Sequence, residues 1–223
     1  MQSTRLGQFT VYLDHSEEFH SLKREIFSGN AYYLELENLA PNILDGGAHI
    51  GLFTLYYKQL YPAATITAVE PLAENIVLLE QNIFENQLEG VTTDHVALAD
   101  HDGAMKLYFD ATPEKWFSTA GLHNGAWSGA QKSDSRTVPT KTLSSYLREQ
   151  KFDLVKLDIE GAELGVIAES KALLSRSDQY LIEFHPRNGS KIEQLEKIFT
   201  DRGFKVQSEK TSRAGLQLLH AWS

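Results

Sequence analysis

Short apolar runs alternate along this chain with longer segments in which apolar residues recur every three or four positions. Five runs have the length and apolar content of buried strands: Asn42–Asp45, Thr65–Glu70, Val91–Val96, Asp153–Asp158 and Tyr180–His185. Because the segments between them are long enough for helices, the pattern predicts βαβ units and a mostly parallel α/β sheet.

Five segments have the length and periodicity of helices. They are Leu52–Leu60, Ala73–Asn86, Thr142–Gln150, Glu163–Leu174 and Lys191–Arg202. The last of these is preceded by Ser190, which stands in capping-box spacing with Glu193, and it is followed by Gly203. These signals predict where the last helix begins and ends.

Other parts of the chain depart from this alternation. Phe204–Ser208 and Leu216–Trp222 have no helix between them, which predicts a hairpin at one end of the sheet. Ala99–Phe109 predicts a turn at Asp102-Gly103 that leads into an extra strand.

The remaining segments complete a single predicted domain over residues 1–223. Residues 1–40 are interpreted as an N-terminal cap segment and residues 41–223 as the core. Within the core, residues 110–137 are rich in Gly, Ser and Thr but carry large aromatic side chains, which favours a lid or substrate loop. The aromatic rings could equally cover an apolar edge of the core.

Composition narrows the class of protein. The chain has 223 residues, of which 42% are hydrophobic and 23% charged, as in an ordinary globular domain, and its net charge is −9 without blocks of like charge. This balance argues against a nucleic-acid partner, which requires clustered Lys and Arg. The absence of cysteine excludes disulfides, zinc–thiolate sites and a cysteine nucleophile. With no signal-like start and no membrane-spanning run, the expected location is the cytoplasm and no membrane partner is expected.

The first candidate functional motif is LDGGAHIG, which predicts a strand that ends in a glycine turn and is followed by a helix. It lacks the dinucleotide fingerprint G-x-G-x-x-G, and D-x-G-x-x-x-G describes it better, with Asp45, Gly47 and Gly51. An acid repels a pyrophosphate but suits a cation, and S-adenosylmethionine carries an ammonium and a sulfonium without phosphate. The motif therefore favours S-adenosylmethionine over NAD, while a tight turn without any ligand is the alternative.

A second acid, Glu70, ends the next predicted strand 25 residues after Asp45. In nucleotide-binding α/β sheets an acid near this separation accepts hydrogen bonds from ribose hydroxyls. Both residues stand at the carboxyl ends of their strands, where open α/β sheets bind ligands. We therefore expect Glu70 to belong to a cofactor site.

The segments DLVKLDIEGAE and LIEFHP place further ionisable residues at strand ends. Asp158 ends one strand, Glu160 and Glu163 follow it, and His185 ends the next strand. Asp158 and His185 could face one substrate pocket, where a histidine can take a hydroxyl proton near neutral pH. Lys156 shares a face with Asp158 and, if buried, needs an acidic partner. Glu163 could serve the helix dipole instead.

These motifs together resemble the FkbM family of S-adenosylmethionine-dependent methyltransferases. The resemblance runs from about residue 25 to residue 204 and rests on ILDGGAHIG, AVEP, VALADHDG, VPTKTL, DLVKLDIEGAE and LIEFHP in this order. His49 stands where the family usually has Asn, a departure that leaves Asp45 and the glycines intact.

The resemblance implies a class I methyltransferase (Rossmann-like) fold, in which a seven-stranded, mostly parallel sheet has an antiparallel last strand and helices on both faces. It implies methylation of a hydroxyl on a sugar or other small molecule. It also implies a cofactor site for S-adenosylmethionine, which comprises Asp45, Gly46, Gly47, Ala48, His49, Gly51, Glu70, Pro71, Asn75, Ala97 and Leu98. In this site Glu70 would hold the ribose, and Ala97 and Leu98 would flank the adenine.

For catalysis we expect His185 to act as the base, with Asp158 orienting the histidine or the substrate. The alternative is a Mg²⁺ ion held by Asp158 with Glu160 or Glu183. Trp116, Trp127 and Tyr33 are candidates for substrate contact. Two other functions stay open: a non-catalytic module with the same fold that binds cofactor or a partner, and an NAD-dependent dehydrogenase.

Overall fold

The computed structural model describes residues 1–29, 31–110, 120–122, 133–211 and 215–223. The strands are β1 Gln2–Leu6, β2 Phe9–Leu13, β3 Asn42–Gly46, β4 Thr65–Val69, β5 Val91–Asp94, β6 Ala97–Ala99, β7 Gly103–Asp110, β8 Ser133–Thr142, β9 Phe152–Leu157, β10 Ser177–Phe184, β11 Lys205–Lys210 and β12 Gln217–Trp222. The helices are α1 Ser16–Lys23, α2 Leu52–Leu60, α3 Ala73–Glu85, α4 Leu143–Glu149, α5 Glu163–Ser170 and α6 Ile192–Thr200. A π-helical turn covers Arg24–Ser28 and a 3₁₀ turn covers Leu174–Arg176. None of the helices described in these ranges has both the length and the apolar character needed to cross a membrane.

Seven strands form the main sheet in the order β11-β12-β10-β9-β3-β4-β5. The pairs from β10 to β5 are parallel, and β12 runs antiparallel to both of its neighbours. This confirms the predicted fold class, including the antiparallel last strand. Successive residues of β3, Ile43 and Leu44, belong to different apolar clusters, so the sheet has a core on each face. Burial on both faces explains why its central strands read as continuous apolar runs.

The predicted elements are present, with shifts at their ends. Only the first part of the Val91–Val96 run forms a strand, which is β5 of the main sheet; β6 begins directly after the run, at Ala97, and lies in a separate sheet. The helix predicted over Glu163–Leu174 ends at Ser170. The predicted terminal hairpin is β11–β12, and the extra strand after Asp102-Gly103 is β7.

The predicted capping box at Ser190 and Glu193 is wrong by one residue. The last helix begins at Ile192, and the backbone N–H of Lys191 donates to the Gln194 side chain at 2.8 Å. The Ser190 hydroxyl instead accepts a hydrogen bond from the backbone N–H of Arg187 at 2.8 Å. Because the preceding turn uses this hydroxyl, the neighbouring residue takes the capping position.

The N-terminal residues contain a hairpin, β1–β2, that the apolar pattern did not predict. Its second strand lies against α3, where Asn82 and Asn86 accept hydrogen bonds from the backbone N–H groups of Tyr12 and Thr10 at 2.6 and 2.9 Å. These side chains satisfy an edge of β2 beside which the described part of the chain places no further strand. Apolar side chains of the hairpin join the same cluster as α2.

A second unpredicted strand, β8, pairs with β7 and β6 to form a three-stranded sheet. Because β8 begins at residue 133, the predicted loop over 110–137 is wrong at its end. Residues 134–137 are exposed and polar, so the strand shows no apolar alternation there. Trp116 and Trp127 lie outside the described residues, whereas Gly121 exchanges two backbone hydrogen bonds with Tyr108 at 2.8 and 2.9 Å.

Candidate active site

A cleft opens at the carboxyl ends of β3, β4 and β9. The strand order reverses between β3 and β9, which is where open α/β sheets bind their ligands. Seven residues of the predicted cofactor set line this cleft: Gly47, Ala48, His49, Glu70, Pro71, Ala97 and Leu98. Asp158 and Glu160 line it as well, whereas the other four members of the predicted set do not.

The turn after β3 makes a backbone contact that only glycine permits. Gly47 has a φ of +76°, and a Cβ there would lie 1.9 Å from the carbonyl oxygen of Asp158. The turn after β3 therefore rests directly on the turn after β9. Each turn also holds a non-glycine residue in the left-handed region, His49 at φ 51° and Glu160 at φ 54°. Such conformations concentrate at functional sites.

Asp45 does not reach the cleft, because its side chain is fully buried behind the turn. One carboxylate oxygen accepts a hydrogen bond from the Thr54 hydroxyl at 2.8 Å, and the other lies 3.2 Å from the Lys156 ammonium. Lys156 is 3% exposed and also donates to the carbonyls of Gly46 and Gly47 at 3.2 and 2.8 Å. Burial alone would lower the pKa of Lys156, but the neighbouring acids, Asp45 first, raise it above its usual value. The buried lysine thus has the acidic partner that the sequence required.

Glu70 presents its carboxylate to the cleft from the end of β4 and is held by three donors. The backbone N–H of His49 donates to one oxygen at 2.9 Å, and the Leu72 N–H and the Asn75 amide donate to the other at 3.0 Å each. Burial raises the pKa of Glu70, and His49 together with these donors opposes the rise. Asn75 therefore positions Glu70 and does not line the cleft itself.

A cluster of three acids surrounds His185 at the ends of β9 and β10. The Nδ1 atom of His185 lies 2.9 Å from Glu163, while its Nε2 atom lies 3.6 Å from Glu160 and 3.8 Å from Asp158. Glu163 is buried and also accepts hydrogen bonds from the backbone N–H groups of Ile159 and Gly161. The structure thus brings Asp158 and His185 together as predicted. Only Asp158 and Glu160 reach the cleft wall, with His185 behind them.

The acids change the protonation of this cluster. Burial would lower the pKa of His185, but Glu163, Glu160 and Asp158 raise it to about 10. Burial raises the pKa of Glu160 to about 8, which His185 partly opposes. At neutral pH the imidazole therefore holds two protons, and it can accept another group's proton only after it loses one of its own.

Two predicted residues lie apart from the expected contacts. The group whose ligand atoms lie within 4.8 Å of one another is Asp158, Glu160 and His185, so within the described chain Glu183 is not a member. Glu183 instead accepts a hydrogen bond from the Tyr32 hydroxyl. Tyr33 is 49% exposed and does not line the cleft, whereas its buried neighbour Tyr32 does. Adjacent tyrosines in a segment without periodicity gave no signal for which one points inward.

Comparisons with known proteins place this geometry in a family. The family model described as "Methyltransferase FkbM domain" matches residues 45–206. The methyltransferase sdnD of Sordaria araneosa is 31% identical over 88% of this chain and 86% of its own. The 31-O-demethyl-FK506 methyltransferase FkbM of Streptomyces tacrolimicus is 28% identical over 90% of this chain and 87% of its own.

A solved structure shares the fold. The crystal structure of methyltransferase FkbM from Methylobacillus flagellatus KT matches with a TM-score of 0.60 and 13% identity. The match covers 94% of this chain and 56% of that one, so this chain spans a little over half of that protein. At this level of identity the likeness concerns the fold alone.

Proposed function

This chain belongs to the FkbM methyltransferase family, and from that premise we propose that it transfers the methyl group of S-adenosylmethionine to a hydroxyl oxygen of a small molecule. One observation carries the proposal. The cleft at the reversal of strand order is lined by the glycine turn, by Glu70 and by Asp158. The oxygen as acceptor atom is supported by the relative from Streptomyces tacrolimicus, whose name specifies O-methylation.

The residues of the cleft fit this cofactor in chemistry. Two carboxylates, Glu70 and Asp158, and one ammonium, Lys156, line its wall together with Glu160, which its raised pKa leaves mostly protonated at neutral pH. Such a wall suits a ligand with two cationic centres and disfavours a pyrophosphate, so it favours S-adenosylmethionine over NAD. Inside the fold Lys156 neutralises the charge of Asp45, so the preference for a cationic ligand depends on the acids at the surface of the cleft and not on Asp45.

Roles can be proposed for the predicted cofactor residues. The buried carboxylate of Glu70 would accept ribose hydroxyls, and Ala97 and Leu98 would give the adenine an apolar wall. Gly47 would let backbone approach the methionine part closely. Asp45 would act indirectly, because with Lys156 it holds the carbonyls of the turn in place.

The acceptor would be bound next to Asp158. When bound, S-adenosylmethionine supplies an electrophilic methyl group on a sulfonium. The protein must then hold the acceptor oxygen in line with that group and remove its proton. We propose that Asp158 and His185 together accept this proton. Asp158 lines the cleft, and Nε2 of His185 lies 3.8 Å from the Asp158 carboxylate. Because the structure gives His185 a raised pKa, His185 acts as base only from its neutral state.

The first test is calorimetric titration of the protein with S-adenosylmethionine, S-adenosylhomocysteine and NAD, in buffer that contains EDTA. We expect binding of the first two ligands and none of NAD. Release of S-adenosylhomocysteine is then measured with sets of hydroxylated sugars and other small alcohols. Failure to bind S-adenosylmethionine would refute the proposal, and so would binding of NAD in its place.

A further inference from the structure

Asp158, Glu160 and His185 offer one ligand atom each toward a common point at the edge of the cleft. Their ligand atoms all lie within 4.8 Å of one another, and the two distances from His185 Nε2 are 3.6 and 3.8 Å. Two ligands that each lie ~2.1 Å from one ion are at most ~4.2 Å apart. The described separations therefore require only a small adjustment to surround a single cation.

Glu160 supplies an independent sign that the cluster lacks a ligand. Its side chain is 8% exposed, and among the described residues its Oε2 atom has no hydrogen-bond partner. A buried carboxylate oxygen without a partner is costly, and such atoms often mark a missing water or ion. The other oxygen of Glu160 lies 3.6 Å from His185, outside hydrogen-bond distance.

Glu163 holds the imidazole as the supporting residue of a metal ligand would. Its carboxylate lies 2.9 Å from Nδ1 of His185 and is anchored by the backbone N–H of Gly161, also at 2.9 Å. A histidine that binds a metal usually donates its other ring N–H to a carboxylate in this way, which fixes the tautomer and the ring orientation. Here the arrangement directs Nε2 toward Asp158 and Glu160.

We propose that Asp158, Glu160 and His185 form a binding site for one divalent transition-metal ion, of which Mn²⁺ is the probe. From the sequence Glu183 is a candidate metal ligand, and in the proposed site His185 takes its place. This exchange matters, because an imidazole nitrogen favours Mn²⁺, Co²⁺ or Zn²⁺ over Mg²⁺, which prefers oxygen ligands and water. Binding of the cation would displace the proton from Nε2 of His185 and would occupy the atoms that otherwise accept the proton of the hydroxyl. The cation would then hold the acceptor hydroxyl and lower its pKa, so that the proton leaves to water. That role rests on the proposed function, whereas binding of the ion does not.

The test is titration of metal-free protein with Mn²⁺, followed by electron paramagnetic resonance of the free ion. We expect one ion per chain, and we expect competing Mg²⁺ to bind at least ~10-fold more weakly. Glu160→Gln should weaken Mn²⁺ binding at least ~10-fold. The matched control is Glu169→Gln: Glu169 also has one buried oxygen without a described partner, but its other oxygen binds Ser144. This control should bind Mn²⁺ as the wild type does.

The outcomes are separable from those of the proposed function. No saturable Mn²⁺ binding by the wild type would overturn the inference, as would equal weakening by Glu160→Gln and Glu169→Gln. Equal affinity for Mg²⁺ would overturn the role of the imidazole. Titration of the metal-free wild type with S-adenosylmethionine runs in parallel. If it binds that cofactor but no Mn²⁺, the metal site fails while the proposed function stands.

Discussion

The buried ion pair behind the glycine turn yields a prediction with a definite size. Asp45 and Lys156 are 0% and 3% exposed, and their charged atoms lie 3.2 Å apart. Removal of one partner from such a pair typically costs ~3–5 kcal/mol, because the other charge stays buried without compensation. Domains are stable by only ~5–15 kcal/mol, so Asp45→Asn should remove a large fraction of the free energy of unfolding.

A double-mutant cycle tests the physical reason for this cost. Asp45→Asn keeps a side-chain oxygen for the Thr54 hydroxyl, and Lys156→Met keeps most of the lysine's apolar volume. Each single variant should be destabilised by several kcal/mol in urea unfolding. The double variant should cost less than the sum of the two by ~2 kcal/mol or more, because no unpaired charge remains. Strict additivity, or a cost below ~1 kcal/mol for Asp45→Asn, would refute the reasoning.

The same variants show how Asp45 affects the cofactor. If the pair acts by holding the turn, both single variants weaken the binding of S-adenosylmethionine in calorimetric titration by similar factors. This is our expectation, because Lys156 bonds the carbonyls of Gly46 and Gly47. If Asp45 contacted the cofactor directly, Lys156→Met would leave the affinity intact and only Asp45→Asn would lower it.

Three further predictions concern single positions. Gly47 and Gly189 both have positive φ, so replacing either with alanine should strain the backbone by ~1–2 kcal/mol. Only at Gly47 would the added Cβ also clash, because it would lie 1.9 Å from the Asp158 carbonyl oxygen, so Gly47→Ala should lower the free energy of unfolding in urea by ~1–3 kcal/mol more than Gly189→Ala does. Equal losses of stability in the two variants would contradict this. Glu70→Gln should weaken S-adenosylmethionine binding ~10-fold or more, and an unchanged affinity would remove Glu70 from the cofactor site. Burial lowers the pKa of His220, so at this residue the folded state binds fewer protons than the unfolded chain, and the contribution of His220 to stability falls as pH falls below ~6.5. His220→Gln removes this contribution, so the urea midpoint of the variant should rise relative to that of the wild type between about pH 7.5 and 5; a constant difference between the two midpoints would disprove this.

The main sheet could be predicted from the sequence because its central strands are buried on both faces. Such strands are continuous apolar runs, as in the one that ends at Asp45, and the helices between them bury one face each. The first hairpin and β8 were not predicted. Residues 134–137 of β8 are exposed on both sides and therefore show no apolar alternation. In the hairpin, β2 does alternate, with Phe9, Val11 and Leu13 buried, but its edge is satisfied by side chains of the distant helix α3, a contact that the local sequence does not indicate.

For the site, the sequence by itself determined which functional side chains lie at the ends of the strands. The glycine turn, Glu70, Asp158 and His185 could be chosen because parallel strands bring their carboxyl ends to one edge. Only the tertiary structure decided how these groups share their charges. It paired Asp45 with Lys156, placed Glu163 against His185 and turned Glu183 toward Tyr32. Contacts between residues far apart in sequence depend on how turns and helices pack, and residue spacing along the chain does not encode that packing.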